Sequence, residues 1–283
     1  MYGQIIKEQP FDFTKHSTIG CGGVARQAFY PKNEEETGFL LDKQPNGWIV
    51  VGNMSNVLPP DAGTDKTVIC TKKLTEIRVQ EDTVYVSAGV TSGNLLRFMQ
   101  GQGYSGTEFL AGIPCTMGGI LYMNGGAGGR YIDEFVDGLR IVRNGRIIDL
   151  PVSECGYSYK NSVFMQTDDF ILGGYLRLVK AKKEDIAKSI KSWLDRRVHL
   201  PKGKSMGCVF KNPKGFSAGA LIERTGLKGL RIGGAKVSEE HANFIINDKN
   251  ATAREITSLI TMIKNAVYAQ YGILLEEEIR YLK

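Results

Sequence analysis

The stretch Gly203-Lys-Ser-Met-Gly-Cys-Val-Phe-Lys-Asn-Pro213 is the most informative segment of this chain, and it contains a single thiol, that of Cys208. A glycine directly precedes the thiol, and glycine lets a ligand come close to the backbone. Four basic residues lie just upstream of the thiol: Arg196, Arg197, Lys202 and Lys204. Cations and an amide suit an anionic, hydrogen-bonding ligand. The segment therefore predicts a phosphorylated small molecule beside a cysteine that can exchange a proton.

Length and composition are those of a globular protein with more than one core. The chain has 283 residues, which predicts two or three domains, or one domain with a large insertion. Its net charge of +6 favours anionic substrates. No segment interleaves aromatic with basic residues as a nucleic-acid-binding face does, so we expect no nucleic-acid partner.

The cysteines and histidines argue against disulfides and metals. The five cysteines are an odd number without CxxC spacing, which argues against a disulfide scaffold and a structural zinc site. The histidines lie too far apart for a ligand cluster, so we expect no metal. The chain starts without an apolar signal core and has no apolar run long enough to cross a bilayer. We expect a cytoplasmic protein without a membrane partner.

Strands and helices are grouped rather than alternating, which predicts the α+β class. Residues 1–73 predict strands and one helix that begins near Asn33. Beyond them, Val84–Gly89 predicts a strand, and Ser92 is expected to cap the following helix. From 105 to 129 glycine is so dense that we expect no regular structure.

Further along the chain, the turn and cap signals are clearer. Asn144-Gly145 predicts the type I′ turn of a hairpin over 139–148. Helices are predicted at 184–197, at 217–225, and behind the capping box of Thr252 and Glu255. Residues 273–282 predict a closing strand. We expect domain boundaries near residues 73 and 183.

Two familiar nucleotide-binding motifs fail on context. Gly101-Gln-Gly-Tyr-Ser-Gly106 matches GxGxxG, but no helix is predicted to follow it, so a dinucleotide-binding fold is not indicated. Gly203-Lys-Ser resembles the end of a P-loop, but Val198 stands where the first glycine is required.

Four other segments remain as candidates besides the thiol. Gly52-Asn-Met-Ser-Asn56 follows a strand, and such a turn can offer N–H donors to a pyrophosphate. Ala111–Gly119 and the glycines that follow Met123 can lie flat against a planar ligand. Taken alone, Tyr159-Lys-Asn-Ser162 is more typical of a surface turn, and Glu276-Glu-Glu278 of a solvated charge run.

Taken together and in order, these segments resemble the family of the peptidoglycan enzyme UDP-N-acetylenolpyruvoylglucosamine reductase over nearly the whole chain. The segments that carry the resemblance are Thr18-Ile-Gly-Cys-Gly-Gly-Val-Ala25, Gly52-Asn-Met-Ser-Asn-Val57, Glu108–Gly119 with Met123-Asn124, Gly207-Cys-Val-Phe-Lys-Asn-Pro213, Ser217-Ala-Gly, Leu227-Lys-Gly, Gly233-Gly-Ala-Lys-Val-Ser238, His241-Ala-Asn-Phe244 and Leu275-Glu-Glu-Glu-Ile-Arg280. Their spacing resembles that of the subgroup with a shortened substrate domain. So many ordered matches are more specific than any one of them.

The resemblance implies a fold and a reaction. The fold is a two-subdomain FAD-binding region of the vanillyl-alcohol-oxidase (PCMH) type over 1–73 and 74–182, plus a C-terminal α+β substrate-binding domain over 183–283. The cofactors are FAD and NADPH. The reaction reduces UDP-N-acetylglucosamine enolpyruvate to UDP-N-acetylmuramate. It needs these cofactors because side chains alone cannot store a hydride. A monomer is the expected oligomeric state.

The resemblance also implies roles by position. Cys208 is the proton donor, Glu278 an acid that stabilises the intermediate, and Lys160 the cation. FAD is expected to bind Gly52, Asn53, Met54, Ser55, Asn56, Gly112, Ile113, Pro114, Thr116, Gly118, Gly119, Asn124 and Ala127. The substrate is expected to bind Tyr159, Arg197, Lys204 and Asn212, with His199 and Lys202 as further candidates for the diphosphate.

Three positions depart from the family's usual pattern. Cys208 stands where serine is common, and a thiol, with an ordinary pKa of about 8.5, gives up its proton more readily than a hydroxyl. We hypothesise that this exchange preserves function and adds sensitivity to oxidants. Lys160 replaces arginine and lacks its bidentate fork. Gly128 replaces a tyrosine. An oxidase on the same scaffold and a catalytically impaired nucleotide-sugar-binding relative are the alternatives.

Overall fold

A computed structural model describes residues 5–43, 47–80 and 83–282. Its α-helices are α1 (Phe13–His16), α2 (Glu34–Asp42), α3 (Ser92–Gln102), α4 (Met117–Met123), α5 (Lys183–Asp195), α6 (Ala218–Arg224) and α7 (Ala253–Tyr271). Short 3-10 helices cover Thr71–Lys73, Glu108–Leu110, Ile132–Glu134, Val152–Glu154 and Val163–Met165. In the described part of the chain, no helix is long and apolar enough to span a membrane.

Each of the three larger sheets takes its strands from one of the ranges predicted as domains. The first has the order Ile6–Glu8, Ala28–Tyr30, Thr67–Cys70 and Trp48–Val51. The second has the order Arg146–Pro151, Val136–Arg143, Phe170–Arg177, Thr83–Ser87 and Ile77–Gln80. The third has the order Ser205–Cys208, Phe244–Asn247, Ala235–Val237 and Arg231–Ile232. The predicted boundaries near residues 73 and 183 stay a prediction.

Four two-residue strand pairs complete the structure. Phe11–Asp12 pairs with Val24–Ala25, Tyr104–Ser105 with Val179–Lys180, Gly126–Ala127 with Arg130–Tyr131, and Val57–Leu58 with Arg280–Tyr281. The last pair is parallel, and the other three are antiparallel.

By Cα proximity the described chain forms two compact units, each assembled from separate segments. The first unit comprises Met1–Glu8, Ala28–Asn53 and Thr67–Val198, and the second comprises Gln9–Gln27, Met54–Lys66 and His199–Lys283. The second unit is built on α7, whose buried stripe runs from Ile256 to Val267. In the first unit, both sheets contribute to one apolar cluster, since Phe29 and Ile69 of one sheet pack in it with Val142 and Leu172 of the other.

Several predicted elements are confirmed at their turns and caps. The Asn33 carboxamide accepts the Glu36 N–H at 2.9 Å at the start of α2. The Asn144-Gly145 turn has positive φ at both residues, 50° and 72°, as a type I′ turn requires. Thr252 and Glu255 form the expected capping box of α7, which ends at Gly272 in the left-handed region.

Three predictions about local structure are wrong. Residues 105–129 are not irregular, because α4 lies within them and its first N–H groups bond to the carbonyls of Val90 and Ala88. Residues 273–282 form no continuous strand, and only Arg280–Tyr281 is extended in a ladder. The cap of α3 is Thr91, which accepts the Asn94 N–H, rather than Ser92.

Candidate functional site

In the first unit, the turn after strand Trp48–Val51 lies against the loop that leads into α4. A Cβ atom on Gly52 would fall 2.2 Å from the Thr116 hydroxyl oxygen, so only glycine permits this approach. The Asn53 amide nitrogen donates to the Pro114 carbonyl at 2.8 Å, which ties the same two segments together. The two predicted FAD-binding segments are therefore in direct contact.

The Thr116 hydroxyl is one of three buried side-chain polar groups without a hydrogen-bond partner in the described residues, with Arg78 Nε and the Tyr157 hydroxyl, and it is the one within the predicted FAD-binding segments. Its oxygen is buried and has no hydrogen-bond partner within the described ranges. It does not cap α4, although Thr116 is the residue before that helix. A buried hydroxyl without a partner is costly, so a bound polar group is its expected partner. A buried hydroxyl beside a glycine turn is chemically suited to a polar group of FAD.

The loop, helix and hairpin over residues 112–129 are called the predicted FAD wall, and the rest of its residues lie beside Thr116. Gly118 and Gly119 are in the first turn of α4, and a Cβ on Gly118 would lie 2.9 Å from that of Ala88. Asn124 ends α4 with a φ of 43°, and its amide donates to the Ser158 carbonyl at 3.0 Å. Ala127 lies in the hairpin that follows. Asn124 thus positions the segment that carries Lys160.

Lys160 stands in a tight turn of the first unit. The backbones of Ser158 and Asn161 exchange two hydrogen bonds of 3.2 and 3.1 Å, so Tyr159 and Lys160 form the turn between them. Lys160 has a φ of 53°, which an L residue adopts only at some cost. The ring of Tyr159 makes an edge contact with Tyr131 at 5.9 Å. The turn presents both predicted side chains at a fixed backbone position.

Arg197 lies near the predicted FAD wall, in the same unit. A Cβ on Gly112, which has a φ of 75°, would fall 3.0 Å from the Arg197 Cδ atom. Ile113 and Pro114 continue this loop, and the Ile113 carbonyl accepts the Ser92 hydroxyl at 2.5 Å. The stem of Arg197 therefore packs over the loop that is predicted to hold the flavin.

In the second unit, a β-bulge sets the position of Cys208. Ser205 pairs with Ile246 and Cys208 with Phe244, which leaves one extra residue on the thiol's strand. Gly207 lies in this bulge with a φ of 75°, the left-handed conformation that such bulges place on glycine. Bulges re-aim the side chain that follows them. This explains why a glycine precedes the thiol.

Glu278 lies on a segment paired with the residues that follow Cys208. The Glu278 N–H donates to the Val209 carbonyl at 2.8 Å, and the Lys211 N–H donates to the Glu276 carbonyl at 2.8 Å. Phe210 and Glu277 form the bridge between these two bonds. The backbone of Glu278 is thus held one residue away from that of Cys208.

The run of three glutamates is only partly solvated, since Glu276 is exposed whereas Glu277 and Glu278 are half-buried. Glu276 accepts the Lys211 ammonium at 2.5 Å. Glu277 accepts the Lys264 ammonium at 2.8 Å and the Tyr281 hydroxyl at 2.7 Å. Both neighbours of Glu278 are therefore anchored by side-chain contacts of their own.

Met54, Ser55 and Asn56, the last residues of the turn predicted to bind a pyrophosphate, lie in the second unit and support the segment of Glu278. The Asn56 amide donates to the Glu278 carbonyl at 3.0 Å, and the Asn56 carbonyl accepts the Arg280 N–H at 2.9 Å. Met54 is buried with a φ of 47°, and Ser55 follows it. The Thr18 hydroxyl donates to the Ser205 carbonyl at 2.7 Å. The segment Thr18–Ala25, called the first glycine element, therefore contacts the strand that carries Cys208.

Lys204 and Asn212 flank the thiol in the second unit. A Cβ on Gly20 would lie 2.7 Å from the Lys204 Cδ atom, so the lysine stem packs on the first glycine element. The Asn212 carboxamide oxygen accepts the Ala218 N–H at 3.0 Å at the start of α6. Asn212 thus has a structural contact in addition to its predicted role with substrate.

The thiol of Cys208 differs from the other four in its exposure. Cys208 is partly exposed, whereas Cys21, Cys70, Cys115 and Cys155 are buried. Burial raises the pKa of Cys21 and Cys115 to about 12 and that of Cys155 to about 11, and it also raises the pKa of Cys70. Buried neutral thiols of this kind are inert. Reagents that modify thiols should therefore select Cys208.

The two units divide the predicted residues between them. The first unit contains Gly52, Asn53, the predicted residues from Gly112 to Ala127, Tyr159, Lys160 and Arg197; the second contains Met54, Ser55, Asn56, Lys204, Cys208, Asn212 and Glu278. The sequence reasoning missed Trp193, whose ring lies over Gly128. It also missed the ion pair between Glu277 and Lys264, because Lys264 lies on α7 and no local sequence pattern links the two residues.

Family models match both ends of the chain. Residues 26–150 match a model described as "FAD binding domain", and residues 198–282 match one described as "UDP-N-acetylenolpyruvoylglucosamine reductase, C-terminal domain". These matches, with the mixed helix and strand content, confirm the predicted fold class.

Whole-chain relatives give the same result. The chain is 37% identical to the UDP-N-acetylenolpyruvoylglucosamine reductase of Thermosipho melanesiensis, over 93% of this chain and 91% of the relative. It is 35% identical to that of Geobacter metallireducens, over 98% and 94% of the two chains. The crystal structure of the Thermus caldophilus enzyme superposes with a TM-score of 0.85 at 30% identity, and the match covers 99% of each chain.

Proposed function

The chain belongs to the UDP-N-acetylenolpyruvoylglucosamine reductase family, and from that membership we propose the roles of its residues in the reaction. It is an FAD-dependent oxidoreductase of peptidoglycan precursor synthesis that reduces the enolpyruvyl ether of UDP-N-acetylglucosamine enolpyruvate to UDP-N-acetylmuramate. We propose NADPH as the electron donor, a monomer as the working form, and the cytoplasm as the location.

A bound FAD would supply hydride transfer from NADPH to the enolpyruvyl group, chemistry that no side chain can supply. The first unit holds the cofactor through Gly52, Asn53 and the loop from Gly112 to Gly119. Thr116 donates its hydroxyl to a polar group of the cofactor, which satisfies an oxygen that is otherwise buried without a partner. Gly52 and Gly118 let their loops pack closely against Thr116 and Ala88, which sets the shape of the segments proposed to hold the cofactor.

The second unit supplies acid catalysis. Attack at C3 leaves negative charge on C2 and on the substrate carboxylate, and Glu278 is the acid proposed to stabilise this enolate. Cys208 then gives the proton of its thiol to C2, so an S–H bond breaks as a C–H bond forms, and the thiolate regains a proton from solvent. Lys160 balances the charge of the substrate carboxylate. Tyr159, Arg197, Lys204 and Asn212 bind the nucleotide sugar.

One observation carries this assignment. The hydrogen bond from the Glu278 N–H to the Val209 carbonyl, at 2.8 Å, joins the chain's last segment to the residue directly after Cys208. An acid that stabilises an enolate and a thiol that protonates the neighbouring carbon must act on adjacent atoms of one substrate. Backbone pairing that brings the two residues together supports that shared task.

We also propose that Cys208 makes turnover sensitive to oxidants. It is partly exposed, and the other four thiols are buried. A maleimide should therefore abolish the second half-reaction of the wild-type enzyme and leave Cys208→Ser unaffected. Equal inactivation of both proteins would contradict the proposal, as would full activity of the alkylated wild type.

The proposed function is tested with purified protein under anaerobic conditions. A yellow sample that bleaches with NADPH and regains its colour with UDP-N-acetylglucosamine enolpyruvate supports it. Recovery of colour only on admission of air would instead indicate an oxidase. A colourless sample that binds the sugar nucleotide without redox change would indicate a catalytically impaired relative.

A further inference from the structure

The last turn of α5 packs against both glycine loops of the predicted FAD wall. A Cβ on Gly128 would fall 2.7 Å from two atoms of the Trp193 ring, and one on Gly112 would fall 3.0 Å from Arg197 and 3.3 Å from Leu194. One helix end therefore contacts two loops that are separate in sequence. All of these residues belong to the first unit.

The contact at Gly128 is the more demanding of the two. Gly128 and Gly129 form the turn between the paired strands Gly126–Ala127 and Arg130–Tyr131, with φ values of 60° and 82°. The ring atoms Cη2 and Cζ3 of Trp193 occupy the space beside Gly128, and nothing lies within 4 Å of a Cβ built on Gly129. Two adjacent glycines with the same class of φ thus differ in their surroundings.

The Trp193 ring is itself held in place. The guanidinium carbon of Arg196 lies 4.5 Å from the ring centroid, a cation–π contact, and the half-buried ring packs against the main apolar cluster of the first unit. These contacts favour the ring position that brings it against the turn. The ring therefore sets the position of the hairpin that contains Ala127.

We propose that Trp193 is a positioning residue of the FAD site, acting through Gly128 on the hairpin Gly126–Tyr131. The inference rests on the proposed function, since it assumes that this hairpin forms part of the wall against FAD. It gives a second reason for glycine at position 128 besides its positive φ, because any side chain there would displace the ring. Trp193 itself makes no step of the reaction.

The matched glycines allow a test that separates sterics from backbone strain. Asparagine tolerates the left-handed region better than other residues with a Cβ. Gly128→Asn is expected to raise the Kd for FAD about tenfold or more, the range for overpacking of a fixed core. Gly272→Asn, at a glycine that ends α7 with a φ of 66° and has nothing within 4 Å of its Cβ, lies outside the predicted FAD-binding segments and is expected to change the Kd less than about threefold. Equal effects of the two substitutions would overturn the proposal.

A second variant tests whether the ring is the obstacle. Adding Trp193→Ala to Gly128→Asn should recover most of the lost FAD affinity, so that the two changes are far from additive. Trp193→Phe alone should keep the wild-type visible spectrum of bound flavin, whereas Trp193→Ala should shift it. Additive losses in the double variant would overturn the proposal, as would an unchanged spectrum in Trp193→Ala.

The same proteins give an optical readout that does not depend on turnover. The chain has two tryptophans, so Trp48→Phe leaves Trp193 as the only indole. FAD should quench its emission in this background and also in Gly272→Asn. Failure of the wild type to take up FAD would refute the proposed function, whereas uptake without quenching would refute only the inference about Trp193.

Discussion

The two units hold their candidate groups in opposite ways. In the first unit, the loops near Thr116 come together because Gly52 has no side chain, and the central hydroxyl has no partner among the described residues. In the second unit, Glu278 is held by backbone pairing and by the side-chain contacts of Glu276 and Glu277. The loops near Gly52 depend on the absence of a side chain, whereas the segment of Glu278 depends on hydrogen bonds and ion pairs.

This difference predicts different sensitivities. The loops of the first unit should fail when atoms are added at Gly52 or Gly118, because the missing Cβ would fall within 3.0 Å of Thr116 or Ala88. The segment around Cys208 should fail when a functional group is removed and should tolerate its conservative replacement. The predictions below test each half of this contrast.

The largest effect is expected from removal of the thiol. Cys208→Ala should lower kcat about 10²- to 10⁴-fold, the usual worth of a positioned general acid. Cys208→Ser should keep most of the activity, because a hydroxyl can also donate the proton. Steady-state assays with saturating substrate measure both, and equal kcat values for Cys208→Ala and the wild type would refute the role.

The next effect is expected from an added methyl group at Gly52. Its Cβ would lie 2.2 Å from the Thr116 hydroxyl oxygen, so Gly52→Ala must move the two loops apart. We expect the Kd for FAD, measured by flavin fluorescence, to rise about tenfold or more.

Gly93 offers a matched control for that substitution. It lies in the first turn of α3, and a Cβ there would meet nothing within 4 Å. Gly93→Ala should leave the Kd unchanged and raise the free energy of unfolding by about 0.5–1 kcal/mol. A similar loss of FAD affinity in both variants would show that the space beside Gly52 is not critical.

A smaller effect is expected at the start of α7. The Asp61 carboxylate accepts the N–H groups of Ala253 at 2.7 Å and Arg254 at 3.0 Å, next to the capping box. Asp61→Ala should lower the free energy of unfolding by about 0.5–2 kcal/mol. Asp65→Ala, at a nearby exposed position, should change it by less than about 0.5 kcal/mol. Equal values from urea denaturation would argue against the capping role.

The smallest effect concerns the pH dependence of stability. Burial lowers the pKa of His241, and the charge of Lys228 lowers it further, whereas the charge of Glu223 raises it. The His241 Nδ1 atom accepts the Asn243 N–H at 3.2 Å. Because the unfolded chain binds the proton more tightly, stability is full above a pH of about 6.5 and falls as the pH decreases below it. The slope cannot exceed about 1.4 kcal/mol per pH unit for one proton and is smaller for a half-buried group.

His241→Asn tests this linkage. The variant should lose less stability than the wild type between pH 7 and pH 5, as measured by urea denaturation at several pH values. Parallel curves for the two proteins would show that His241 does not contribute to the acid sensitivity.

Local chemistry could be read from the sequence where one turn or cap decides the structure. Asn144-Gly145 and the box of Thr252 and Glu255 specify their conformations through their own side chains. Helix α4 could not be read in this way, because Gly118 and Gly119 weaken it locally. It forms through backbone bonds to Val90 and Ala88 and through burial of its apolar side chains.

The candidate site shows the same limit. Nothing in the spacing of Cys208 and Glu278 indicates that their backbones pair, and only the resemblance linked them. The contact between Trp193 and Gly128 joins a helix to a turn far away in sequence, so no local pattern signals it. Residues joined by such long-range contacts need either a relative or coordinates.

The most direct test of the account is anaerobic stopped-flow measurement of both half-reactions in Cys208→Ala and the wild type. The account predicts the same rate of flavin bleaching by NADPH in the two proteins. It predicts that recovery of the flavin colour with UDP-N-acetylglucosamine enolpyruvate slows about 10²- to 10⁴-fold in the variant. Equal recovery rates would contradict the assignment of the thiol as proton donor.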